Sequence, residues 1–104
     1  MRNNVNAVVR QAQKMQGQIS KIQEDFGLKK IEASTGGGMV TAVVNGNQEL
    51  ESIKINPEVM DPSDVEMLEE MIVGAVNQAM ELAGDSLNKE IEKVTGGFNI
   101  PGMF

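Results

Sequence analysis

One hundred and four residues make one small domain with a modest core, for which pairing with a second copy is a ready route to stability. The chain lacks cysteine and histidine, which excludes disulfides and thiolate metal sites and removes the commonest metal ligand and the commonest general base. Trp and Tyr are absent, only three Phe are present, and the net charge is −6, which argues against base stacking and, at first sight, against a polyanionic partner. Eight Met give a pliable interior. No apolar run has the length of a membrane span, and the stretch MRNNVNAVVR lacks the apolar block of a signal peptide, so the expectation is a cytoplasmic protein.

In chain order, a first helix is expected over residues 4–26. Its apolar residues Val5, Val8, Ala12, Met15, Ile19, Ile22 and Phe26 alternate spacings of three and four over three heptads, the pattern of a coiled-coil seam. Gly27 follows where a left-handed, helix-ending residue is expected. The rod is roughly 30–35 Å long, more than strands of about 17–20 Å can cover, so part of the seam needs another helix or a partner.

Residues 30–56 read as a three-stranded antiparallel meander. Lys29 to Thr35 alternates polar and apolar, and Gly36, Gly37 and Gly38 connect it to the next strand. In that strand Val40, Ala42 and Val44 share one face, and Met39, Thr41 and Val43 the other. Asn45-Gly46 predicts a type I′ hairpin turn. The third strand carries Leu50, Ile53 and Ile55, whose broken alternation predicts a bulge near Glu51-Ser52.

A second helical segment is expected over residues 62–94. Asp61 is the expected cap, with Pro62 at the first position and Met60 stapled on Val65. Its core side reads Val65, Leu68, Ile72, Ala75, Val76, Ala79 and Leu82, and Gly84-Asp85 suggests a break. Asp64, Glu66, Glu69 and Glu70 crowd its start, where the helix dipole favours carboxylates; without a histidine or a nucleophile–base pair they do not read as a catalytic or metal centre. The tail over residues 95–104 contains Phe98, Ile100, Met103 and Phe104, more apolar groups than suit a free end.

The charge is divided along the chain. Residues 1–30 hold six basic and two acidic residues, a balance of +4; the remainder holds three and thirteen, a balance of −10. No acid precedes Glu24. With the seam at heptad positions a and d, Arg10, Lys14 and Lys21 fall at f, c and c, one outward stripe. Such a stripe is ordinarily a solubilising face, but those usually mix signs. Screening acts over about 10 Å at 0.1 M salt, so a basic rod on an acidic body remains a workable phosphate binder.

An ordered series of motifs resembles the YbaB/EbfC family of nucleoid-associated proteins: Gln11-Ala12-Gln13-Lys14-Met15-Gln16, Gly36-Gly37-Gly38-Met39-Val40 through Asn45-Gly46, Ile53-Lys54-Ile55-Asn56-Pro57, Met67-Leu68-Glu69-Glu70, Ala75, Asn77-Gln78-Ala79, Thr95-Gly96-Gly97 and Pro101-Gly102-Met103. Each is weak alone; the set spans nearly the whole chain. The resemblance implies an α+β fold with a long N-terminal helix, a three-stranded antiparallel meander and a long C-terminal helix. It also implies a tweezers-like homodimer whose sheets form a joint body, DNA as the partner, residence in the nucleoid of the cytoplasm, and no catalytic activity or cofactor.

On that basis Arg10, Lys14 and Lys21 are the expected phosphate contacts. Arg2, Lys29, Lys30, Lys89 and Lys93 are secondary ones, and Gln11 and Gln18 add hydrogen bonds. The expected subunit contact comprises Val8, Ala12, Met15, Ile19, Val40, Ala42, Val44, Ile53 and Ile55. The alternative is a dimeric protein–protein adaptor whose free seam grips a partner. Neither a membrane nor a small-molecule substrate is expected.

Overall fold

The computed structural model describes the backbone of residues 2–96 and the side chains of residues 5–96. The expectations for Arg2 as a contact, and for Phe98, Ile100, Met103 and Phe104, fall outside the described side chains. The order of elements is α1 (Arg2–Gly27), β1 (Lys30–Thr35), β2 (Val40–Asn45), β3 (Leu50–Ile55), a single 3-10 turn (Pro57–Val59) and α2 (Val65–Thr95). The strands pair antiparallel in the order β1-β2-β3, so the fold is α+β, helix–meander–helix.

Alternation along β2 puts Val40, Ala42 and Val44 on the face that α2 covers, and none of the three exposes any surface. They meet Ala33 of β1 and the fully buried Ala75, Ala79 and Ala83 of α2, which recur every four residues. A methyl stripe lets the helix axis come close to the sheet, and larger side chains flank it: Leu68, Met71, Ile72, Val76 and Met80. The core side of α2 is therefore rotated slightly from the expected one. Val65 and Leu82 stand half exposed, while Met71 and Met80 take their places against the core.

The turns show where local chemistry yields to packing. The bulge falls where expected: Val43 pairs with Ser52 and Val44 with Leu50, leaving Glu51 as the extra residue. The β2–β3 turn is not type I′. Gly46 is not among the residues with positive φ; Gln48 is, at φ 61°. Asn45 O accepts from Gln48 N at 3.0 Å and Asn45 N donates to Glu49 O at 2.9 Å, the bonding of a tight turn followed by one left-handed residue. Gly46 is needed for a different reason, since a Cβ there would overlap the Phe26 carbonyl. Gly27 likewise stays inside α1, where a Cβ would come within 2.9 Å of the Asn47 amide. Gly36, Gly37 and Gly38 all take positive φ in the β1–β2 connection, and Met39 belongs to that turn and packs on the core.

α2 is capped by Asp64, which accepts from Met67 N at 3.2 Å, and not by Asp61. The Asp61 carboxylate is engaged by Ser63, through its N–H at 3.0 Å and its Oγ–H at 2.7 Å, which holds the acid below its ordinary range. Met60 and Val65 remain exposed, so the expected staple does not form. The expected break near Gly84 is absent: α2 runs unbroken for 31 residues. One interior glycine costs a helix only about 1 kcal/mol, and Gly84 lies where a Cβ would be 3.1 Å from the Gln48 amide nitrogen. Gln48 donates from that amide to Met80 O at 3.0 Å, tying the β2–β3 turn to the helix.

A candidate nucleic-acid interface on the first helix

α1 is 26 residues long, about 39 Å. Among the described residues, only its C-terminal end is fastened to the body. Phe26, 3% exposed, sits against the β2–β3 turn, and Ile22, Asp25, Phe26 and Lys29 line a shallow cleft with Glu90 of α2. Toward the N-terminus cover is lost: Ile22, Ile19 and Met15 are half-buried, Ala12 is exposed, and Val8 is 68% exposed. The radius of gyration is 19.9 Å, where a compact chain of this length has about 13 Å. α1 is thus an arm standing off the body.

Arg10, Lys14 and Lys21 are all exposed on that arm. At 100° per residue they fall within a narrow sector opposite the apolar seam, spread over about 16 Å of helix. Arg10 donates from Nε to Asn6 O at 3.4 Å, which lays its stem along the helix. Among the described residues no ion pair involves any of the three. Gln11 and Gln18, both exposed, flank the stripe two turns apart.

The secondary cations are placed differently. Lys29 holds its Nζ 5.2 Å from the centre of the Phe26 ring, at the root of the arm. Lys30 lies 3.7 Å from Glu51, and Lys93 donates to Glu90 at 2.9 Å. The Lys93 hydrogen bond and charge lower the pKa of Glu90 against a small burial penalty, with Lys29 adding to the effect. Lys30 and Lys93 are therefore partly neutralised where Arg10, Lys14 and Lys21 are not. Lys89 is exposed on α2. Lys54, passed over in the sequence reading, is exposed on β3 opposite Thr41; its alternation with Ile53 and Ile55 is the signal that places it on the side of the sheet away from α2.

Of the expected subunit contact, Val40, Ala42 and Val44 must be corrected. They have no accessible surface and lie beneath α2 of their own chain, so they are core residues of the protomer. Ile53 and Ile55 are half-buried, because α2 lies over β1 and β2 and leaves β3 partly bare. Val8, Ala12, Met15 and Ile19 keep exposed or half-exposed apolar surface.

The densest acids of the body stand away from the root of the arm. Glu66, Glu69 and Glu70 lie about 30 Å along α2 from Glu90, where α1 attaches, three times the screening length at 0.1 M salt.

A model of the YbaB/EbfC DNA-binding family matches residues 1–98. The chain belongs to the YbaB/EbfC DNA-binding family. Relatives within it include a nucleoid-associated protein of Caldanaerobacter subterraneus, 54% identical over 97% of this chain and 91% of that protein. A nucleoid-associated protein of Thermoanaerobacter pseudethanolicus is 52% identical with the same coverage. One from Pelotomaculum thermopropionicum is 44% identical over 100% of this chain and 99% of its own. Among solved structures, an uncharacterized protein from Helicobacter pylori shares the fold, with a TM-score of 0.63 at 22% identity, over 75% of this chain and 90% of that one.

Proposed function

We propose that this YbaB/EbfC protein is a nucleoid-associated DNA-binding protein of the bacterial cytoplasm that grips duplex DNA as a homodimer and acts in nucleoid organisation or gene regulation. The observation that carries the reading is the unpaired stripe of Arg10, Lys14 and Lys21 on a projecting helix with no acid before Glu24. These cations face the phosphates, with Arg2, Lys29, Lys30, Lys89 and Lys93 as weaker contacts and Gln11 and Gln18 bonding to phosphate or base edges. Few side chains on the arm suit base readout, so binding follows DNA shape and charge more than sequence. The seam residues Val8, Ala12, Met15 and Ile19, with Ile53 and Ile55 on the bare part of the sheet, supply the second protomer's footing. The protein works without catalysis or cofactor.

A second reading, a dimeric protein–protein adaptor, is favoured by the bare apolar half of α1. A mobility-shift titration of random-sequence duplex at about 0.05 and about 0.2 M salt separates the two. DNA binding requires a shift at low salt that weakens steeply at the higher one. Absence of any shift at low salt leaves the adaptor.

A further inference from the structure

Gly17 interrupts the cationic stripe of α1. Arg10, Lys14, Gly17 and Lys21 follow one another at spacings of four, three and four, so at about 100° per residue the glycine falls in the same sector as the three cations. Glycine weakens a helix interior relative to any ordinary residue, and the fold gives this one no compensating role. Gly17 is not among the residues with positive φ, and α1 runs through it without a break. Among the described residues nothing outside its own helix lies within 4 Å of where its Cβ would be. It stands opposite the apolar seam, so a second protomer footed on Val8, Ala12, Met15 and Ile19 does not need it either. What the missing side chain does is lower the surface. Cα atoms lie about 2.3 Å from a helix axis and side chains extend to about 5–6 Å, so Gly17 leaves a dent roughly 3 Å deep. Its walls are the residues three and four away, Gln13, Lys14, Ser20 and Lys21, all exposed: two cations and two neutral hydrogen-bonding groups. The first carboxylate along α1, that of Glu24, is about 10 Å further on.

We propose that this dent seats the sugar-phosphate backbone of duplex DNA, one strand pressing against the helix at Gly17 with Lys14 and Lys21 straddling it. The seat presupposes the DNA reading above and fixes where on the arm the strand lies. A glycine is the residue that lets a ligand come up to a backbone, since any Cβ holds it off. At the dent a phosphate comes within reach of both ammonium groups at once, and Gln13 and Ser20 donate hydrogen bonds to its oxygens. The contact is made to the strand and not to base edges, so it is the same for every sequence.

The test measures helix stability and duplex affinity together in the full-length wild type, Gly17→Ala and Gly17→Leu. Both substitutions raise the helix propensity of the arm by nearly the same amount and remove no charge, but they differ in size. Helicity and thermal midpoint are read by circular dichroism, and affinity by titration of random-sequence duplex at about 0.05 M salt. The expected result is that both variants are at least as helical as wild type and melt higher, yet bind DNA more weakly. The loss should be about threefold for Ala and about tenfold or more for Leu. The size dependence separates a seat from a hinge, because a flexible joint at Gly17 would be stiffened alike by either residue. Variant affinities that equal or exceed the wild type's, or losses that are the same for Ala and Leu, overturn the seat and leave the DNA reading standing. A wild type that gives no binding at this salt fails the DNA reading, and the seat with it.

Discussion

Gly46 and Gly17 are both glycines near or within the first helix and its socket, yet they answer to different constraints. A Cβ on Gly46 would overlap the Phe26 carbonyl, and one on Gly17 would meet nothing within 4 Å. Gly46→Ala should therefore destabilise by about 3 kcal/mol, as overpacking against backbone does. Gly17→Ala should stabilise α1 by about 0.5–1 kcal/mol. Urea unfolding of the two variants checks both signs; equal effects would mean that Phe26 is not seated against the turn. At the start of α2, Asp64→Ala should cost about 1 kcal/mol through the lost bond to Met67 N, read as a lower thermal midpoint. The sequence made the hairpin and the acidic helix start legible, but not the roles of single residues. Asn45-Gly46 carries a turn signal whichever turn forms. The seat of Phe26, twenty residues upstream, is what fixes the conformation, and local composition holds no trace of it. Asp61 and Asp64 both look like caps until Ser63 takes the first.

At the scale of elements, periodicity read well wherever one face is buried. The Val40-Ala42-Val44 face and the bulge at Glu51 followed from spacing alone, whereas the seam of α1, exposed at Val5 and Val8, has no such cover. What spacing could not supply was which neighbour covers a face. The apolar residues of β2 are as suited to a partner subunit as to a helix, and only the placement of α2 assigns them to the protomer core. The rotation of α2 has the same origin. Its alanines lie flush on the sheet, and the larger residues spread to either side, leaving Leu82 outside. Ala79→Leu should then cost about 3 kcal/mol by forcing helix and sheet apart, whereas Leu82→Ala should cost less than about 1 kcal/mol. Denaturant midpoints of this pair order the two readings of α2; a large loss at Leu82 with tolerance at Ala79 would reverse the assignment. The expected break at Gly84 failed because a single glycine is a weak helix breaker compared with a long packed stripe.

For the whole molecule the decisive property is the separation of charge from body. A chain of net charge −6 carries Arg10, Lys14 and Lys21 on an arm attached at one end, with the densest acids far down the other helix. Composition hid this and position in the sequence displayed it; the candidate stripe was legible because heptad phase fixes which way Arg10, Lys14 and Lys21 point. The secondary cations were not, because Glu51 and Glu90 meet Lys30 and Lys93 only in the fold. Phosphate contact by these arms is the proposed source of affinity. The direct test is the slope of log affinity for duplex DNA against log salt. With three contacts from each of two arms it should be roughly −5, and Lys14→Glu/Lys21→Glu should flatten it to roughly −2. A slope left unchanged by that double variant would contradict the assignment of DNA to this helix.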